Sequence, residues 1–272
     1  MQEQFAAAAT TYDDAAVLAA EVGRRMAERL DVIRLVPGCF ADIGCATGTG
    51  MRALQTRYPQ ALPLALDYAR PMLDEVRRRS PLLQRLRGRG PRLINADVRA
   101  LPLRPRSVDL IWSNLMLHWL DDPLPAFREM HRTLATNGLL MFSMLGPDTL
   151  RELRAAATAC GIVPPLRRFH DMHDIGDMLV AAGFADPVMD MEMITLTYRS
   201  PRSLLRDQRH LGVRDGLLGA LPWRQWRRIF TVWQSAGSPL PACFEIVYGH
   251  AWKAPPKVTE DGRSVIRFHK TG

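Results

Sequence analysis

The sequence predicts a doubly wound α/β fold, a mostly parallel seven-stranded sheet carrying a helical lid insertion. Three observations support that expectation. Short apolar runs alternate with segments of helical period; the first run feeds a glycine-rich turn within Phe40 to Gly50; the next two runs end on acids, Asp67 and Asp97. Strands alternating with helices imply βαβ crossovers, and sheets of that kind bind ligands at the carboxyl ends of their strands.

In chain order, residues 13–34 repeat Val17, Leu18, Val22, Met26, Leu30 and Ile33 near helical spacing until Pro37-Gly38 stops them, a helical cap over residues 1–37. The core is expected over 38–200. Its first strand runs from Gly38 to Ile43, and the helix entered at Thr49 buries Met51, Leu54 and Tyr58. Strand Leu62 to Leu66 ends at Asp67, and the next helix opens near Pro71, where proline suits a first turn. Arg92 to Ala96 and Val108 to Ser113 are further strands. Helix 123–135 then gives way through Asn137-Gly138 to strand Leu139 to Met144. Later the rhythm changes: helix 173–182 is closed by Gly183, and Val188 to Tyr198 and Phe244 to Lys253 are long strands, the latter within a last core segment, 236–254. Between them residues 201–235 read as a helical insertion whose Trp223, Trp226 and Trp233 either cap a pocket or extend the core. A tail follows over 255–272, with one short strand at Ser264 to Phe268.

At 272 residues and 47% hydrophobic content, the chain can bury one large core. It contains no apolar run long enough to span a bilayer and no signal-peptide pattern, so a cytosolic protein without membrane partners is expected; a monomer is also expected. Cys39, Cys45, Cys160 and Cys243 lack metal-binding or disulfide-framework spacing. His131, His170 and His173 have no ligand constellation around them, so no metal is expected. The net charge of +8 is concentrated in two arginine clusters, Arg77 to Arg92 and Arg199 to Arg228. Either is a solvated surface or a footprint for an acidic partner. The first has no aromatic residues interleaved for base stacking, which argues against nucleic acid.

Asp42, Asp67 and Asp97 recur at successive strand ends. An acid ending a second strand can accept from both ribose hydroxyls, and one after a third strand can accept from an adenine amino group. Each could also be a helix cap. Gly44 and Gly48 allow close backbone approach, with Cys45 and Ala46 between them. The spacing is not that of a dinucleotide fingerprint, and no P-loop lysine is present.

Asp42-Ile-Gly-Cys-Ala-Thr-Gly48, Ala65-Leu-Asp67, Asn95-Ala-Asp97-Val98 and Val108-Asp-Leu-Ile-Trp-Ser-Asn114 resemble the ordered motifs of the Rossmann-like class I S-adenosylmethionine (SAM)-dependent methyltransferases. Ser113 to Trp119, Phe142 to Arg154, Phe169 to Asp177 and Phe244 to Trp252 resemble, more narrowly, the BioC family of malonyl-acyl carrier protein O-methyltransferases in biotin synthesis. The resemblance implies a SAM site of Asp42, Gly44, Cys45, Ala46 and Gly48 at the methionine part, Asp67 at the ribose and Asp97 with Val98 at the adenine. It places Asn114 beside the transferred methyl, with S-adenosyl-L-homocysteine as product. It also implies a malonyl thioester on acyl carrier protein as substrate and partner, with Tyr12 near the active site. The carrier is acidic and helical, and the 201–228 arginines are the expected docking surface. Because a carboxylate needs no general base to accept a methyl, mild donors from Tyr12, His118 and Trp119 are expected around it, with Arg168 on a non-reacting oxygen. Read without the resemblance, Tyr12, His118 and Trp119 could be packing residues. Ala46 and Ala7 depart from the family's glycine and arginine. Those departures keep two alternatives open, another substrate (a small carboxylate, or a protein arginine hydroxylated as by complex I assembly factors) and a non-catalytic SAM-binding scaffold.

Overall fold

A computed structural model describes residues 2–81, 90–235 and 237–255. Its sheet has seven strands: β1 (Cys39–Ile43), β2 (Leu62–Asp67), β3 (Arg92–Asn95), β4 (Val108–Asn114), β5 (Leu134–Leu145), β6 (Ala185–Tyr198) and β7 (Leu240–Trp252). They lie in the order β3-β2-β1-β4-β5-β7-β6. The first five pair in parallel, and β7 runs antiparallel between β5 and β6. The chain reverses direction across the sheet between β1 and β4, which opens a crevice above their carboxyl ends.

The N-terminal segment forms α1 (Gln2–Ala8), α2 (Tyr12–Ala15), α3 (Val17–Arg29) and a 3-10 turn at Leu30–Val32. The single helix expected over 13–34 is therefore broken at Ala16, where ψ rises to 25°. The break aims Tyr12, Ala15 and Ala16 at the crevice while Val22 and Met26 pack on the sheet; Val17 is exposed. The crossover helices are α4 (Thr49–Arg57), α5 (Arg70–Arg79), α6 (Leu124–Thr133), α7 (Arg151–Ala159) and α8 (Met172–Ala181). Met51 and Leu54 are buried as expected. Strand β5 begins at Leu134 rather than after Gly138, because Asn137 takes a left-handed φ of 61° within a bulge and the strand continues through it.

The helical insertion over 201–235 consists of three helices: α9 (Pro201–His210), α10 (Arg214–Leu218) and α11 (Trp223–Ser235). Gly212 and Gly219, both at φ 72°, interrupt the run. Each stands where a Cβ would strike backbone, that of Gln4 or of Pro165. Trp226 and Trp233 are buried against α7, so their part is in the core, while Trp223 is exposed. One apolar layer joins α3, α4, α7 and α11 to one sheet face, and a second joins α6 and α8 to the other. Arg85, Arg87, Arg89, the tail beyond Pro255 and the strand expected at Ser264 to Phe268 lie outside the described residues.

Candidate active site

A cavity of about 530 Å³ opens above the crevice, within the usual range for small-molecule sites. One part of its wall comes from the strand ends, with Gly44, Ala46, Asp67, Asp97, Val98 and Asn114. The opposite part comes from helices and late strands, with Tyr12, Gln208, Leu217, Tyr198 and Phe244. His118 and Trp119 stand on the same wall. Sequence positions more than two hundred residues apart thus meet across one continuous space.

The acids divide by environment. Asp67 is fixed by two backbone amides, Ala46 N–H on Oδ2 at 2.9 Å and Ala69 N–H on Oδ1 at 2.8 Å. Each oxygen keeps a further lone pair for a ligand hydroxyl. Burial raises its pKa, and the amides oppose that rise. Asp97 is held low by its pair with Arg99, at 2.6 Å. Asp42 lies beneath the turn, 2% exposed and off the cavity wall, with Oδ2 unpartnered among the described residues. Burial, followed by the charge of Asp67, pushes its carboxyl up to about 7. Cys45 is likewise buried off the wall, and Gly48 caps α4 with φ 84° against Val76. Of the turn residues, Gly44 and Ala46 thus line the cavity, while Asp42, Cys45 and Gly48 stand behind that wall. Ala46 does line the cavity, and its φ of 46° is left-handed, a conformation costing roughly 1–2 kcal/mol for a residue with a Cβ.

The donors are arranged on the other side. Tyr12 is partly buried, and desolvation, with Asp67 and then Asp42, pushes its phenol to about 12, so it remains a hydrogen-bond donor. His118 is 4% exposed; its Nδ1 accepts from the Leu145 amide at 3.3 Å, which leaves the proton on Nε2. Burial, then the charge of Arg167, pushes its pKa down to about 3. Nε2 is buried without a partner among the described residues, an N–H in want of an acceptor. Trp119 and Phe169 pack on the ring at centroid distances of 4.6 and 5.5 Å. Asn114 spends both ends of its amide on structure, Nδ2 donating to Ala19 O and Oδ1 accepting from Ser143, both at 2.8 Å. It ties α3 to the tip of β4.

Arg168 is exposed and does not line the large cavity; it lies in an adjoining smaller groove that shares His118 with it and also holds Arg167, Phe169 and His170. The arginine that reaches the site's loop is Arg167. Sequence reasoning missed it, because in the irregular stretch before α8 no period tells which of two adjacent arginines turns inward. The motif blocks at 142–154 and 244–252 also meet: Glu245 accepts from the Asp148 amide at 2.6 Å, and a Cβ on Gly146 would fall 2.4 Å from its carboxyl carbon. Among the described residues no cluster could hold a metal ion.

The strand order, the acid-tipped β2 and the cavity above the β1/β4 crevice define a class I methyltransferase, and the family model for the methyltransferase domain matches residues 41–142. The YcgJ protein of Bacillus subtilis shares this fold at TM-score 0.60 and 16% identity, over 86% of this chain and 99% of that one. The malonyl-[acyl-carrier protein] O-methyltransferase of Gallionella capsiferriformans is 47% identical over 98% of this chain and 94% of its own. The enzyme of the same name from Laribacter hongkongensis is 44% identical over 99% and 95%. The chain belongs to the malonyl-[acyl-carrier protein] O-methyltransferase family.

Proposed function

We propose that this chain transfers a methyl group from SAM to the free carboxylate of a malonyl thioester carried on acyl carrier protein, the step that opens the pimelate part of biotin synthesis. The observation that carries the reading is the single cavity shared by the acid-tipped strand ends and the donors Tyr12 and His118, in a chain akin to this family over nearly its full length. Asp67 suits the two ribose hydroxyls, while Val98, Leu101 and Met72 form an apolar slot for a purine beside Asp97. The bound cofactor supplies a methyl on a positively charged sulfur, and the product is S-adenosyl-L-homocysteine. Gly44, Ala46 and the amide-tethered Asp67 shape that end, and Asn114 holds the wall between cofactor and substrate.

The substrate carboxylate is ionised at neutral pH, so no residue has to remove a proton. The protein's work is alignment and exclusion of water, which can supply several kcal/mol of the barrier. Tyr12 O–H and His118 Nε2–H are neutral donors suited to holding a carboxylate oxygen without quenching it, and Trp119 closes the wall beside them. Arg168, in the adjoining groove that shares His118, we place on the approach taken by the thioester arm. The acidic carrier is assigned to α9, whose Arg202, Arg206 and Arg209 are exposed at i, i+4 and i+7 on one helix face, with Arg199 just ahead. The opposite face of α9 puts Gln208 into the cavity.

The deciding experiment is transfer of label from SAM to malonyl-acyl carrier protein, with acetyl-acyl carrier protein, which lacks a free carboxylate, as control. Label confined to the malonyl form is the expected result. No label on either, in protein that binds SAM, discards the substrate.

A further inference from the structure

We propose that Arg167 is a positioning residue of this site, a clamp that sets the His118–Trp119 wall in register with the helices over 201–218. The methyl-transfer part of its test rests on the function proposed above; the ring measurement below does not.

Arg167 makes contacts in three directions. Its Nε donates to His118 O and its Nη2 to Trp119 O, each at 3.1 Å, and Nη2 also reaches Asp121 Oδ1 at 2.8 Å. The guanidinium carbon lies 6.0 Å from the Trp119 ring centroid. Its own backbone amide donates to Leu217 O at 2.9 Å, and Leu217 lines the cavity from α10. Its carbonyl accepts from Arg154 Nη2 on α7 at 2.5 Å. Next to this seat, Gly219 packs so closely on Pro165 that a Cβ would stand 2.2 Å from the Pro165 carbonyl oxygen.

Within the 3-10 turn at Leu117–Trp119 the Trp119 and Leu120 amides serve the Met116 and Leu117 carbonyls, so the next two carbonyls, of His118 and Trp119, need donors from elsewhere. Arg167 is that donor, and its planar fork fixes two consecutive carbonyls at once, which a single ammonium does less well. The same cation beside the imidazole helps keep His118 neutral, with its proton on the nitrogen that lacks a partner. A shift of the 165–219 contact would therefore move the donors, although Arg167 itself is absent from the wall of the large cavity.

The test uses the full chain with Arg167→Met, which keeps the length and removes the donors. The expected result is a fall in kcat of tenfold or more with malonyl-acyl carrier protein, with the SAM dissociation constant within threefold, because the Asp67 end is held by separate bonds. Nitrogen-15 spectra of the imidazole are expected to show His118 titrating at higher pH than in the unmodified protein, a change that mere loss of stability would not produce. A folded variant with kcat within twofold and an unchanged His118 ring overturns the proposal. If Arg167→Met does not fold, Arg167→Lys decides: it keeps the charge and loses the fork, so a loss of threefold or more is expected, and unmodified kinetics would overturn the proposal. If the unmodified protein transfers no methyl to the malonyl carrier, the proposed function falls, yet the His118 spectra still decide the clamp.

Discussion

Three residues carry separate predictions. Asp67→Ala removes the acceptor assigned to the ribose and frees the Ala46 amide it tethers; calorimetry should find SAM binding abolished, and an unchanged dissociation constant would refute the cofactor placement. Ala46→Gly relieves the left-handed strain, roughly 1–2 kcal/mol, but frees the unfolded chain by about 0.4–1 kcal/mol. Since its methyl also packs on the small cluster of Ala9, Ala69 and Met72, the net expectation is a thermal midpoint raised by about 1–3 °C. A lower midpoint would mean that the methyl contacts outweigh the strain. For His118, whose pKa lies well below the ordinary 6.5 of a free imidazole, the unfolded chain takes up the proton first. The stability of burying it neutral is thus present above pH 6.5 and is lost as pH falls toward about 3, by up to ~1.4 kcal/mol per pH unit. Denaturation of the unmodified protein and His118→Gln from pH 7 to 4.5 should show the stability difference moving in the variant's favour, and parallel curves would refute it.

Among the elements, α6 depends on a lysine distant in sequence. Lys253, just beyond β7, donates from Nζ to His131 O at 2.6 Å and Leu134 O at 2.8 Å, at the end of that helix. Lys253→Met leaves those buried carbonyls unpaired and should cost about 1–3 kcal/mol in denaturant unfolding, with SAM affinity unchanged. Helix α9 should show its role through salt: exposed arginines are screened within about 10 Å at 0.1 M ionic strength, so KM for the carrier-borne substrate should climb with salt. Exchanging Arg202 and Arg209 for glutamate should raise that KM tenfold or more and leave SAM binding alone; an unaltered KM would move the docking face elsewhere. The strands and crossover helices were legible where a glycine, a proline or an acid bounds an apolar run, as Gly38, Pro71 and Asp67 do. The break at Ala16 and the turns at Gly212 and Gly219 were hidden, since the apolar spacing runs on through them and only packing against the cavity and against Pro165 imposes the bend. Tyr12, His118 and Asp67 could be named from motifs. That Asp42 turns into the core and Arg167 into the loop follows from backbone direction, which the residue types do not encode.

At the scale of the whole molecule, the strand order has a temporal consequence. Among the described residues strand β6 pairs with β7 alone, and β7 follows it in the chain only after α9, α10 and α11. On a ribosome adding about 5–20 residues per second, fourteen residues of β6 therefore wait several seconds, with their hydrogen-bonding edge open, before a mate emerges. During that interval β1 to β5 can already pair with one another, while the outer edge of β5 also waits for β7. The nascent protein thus holds a paired parallel half beside two strand edges, those of β5 and β6, that stay open to pairing errors until the last strand emerges and completes the cavity wall.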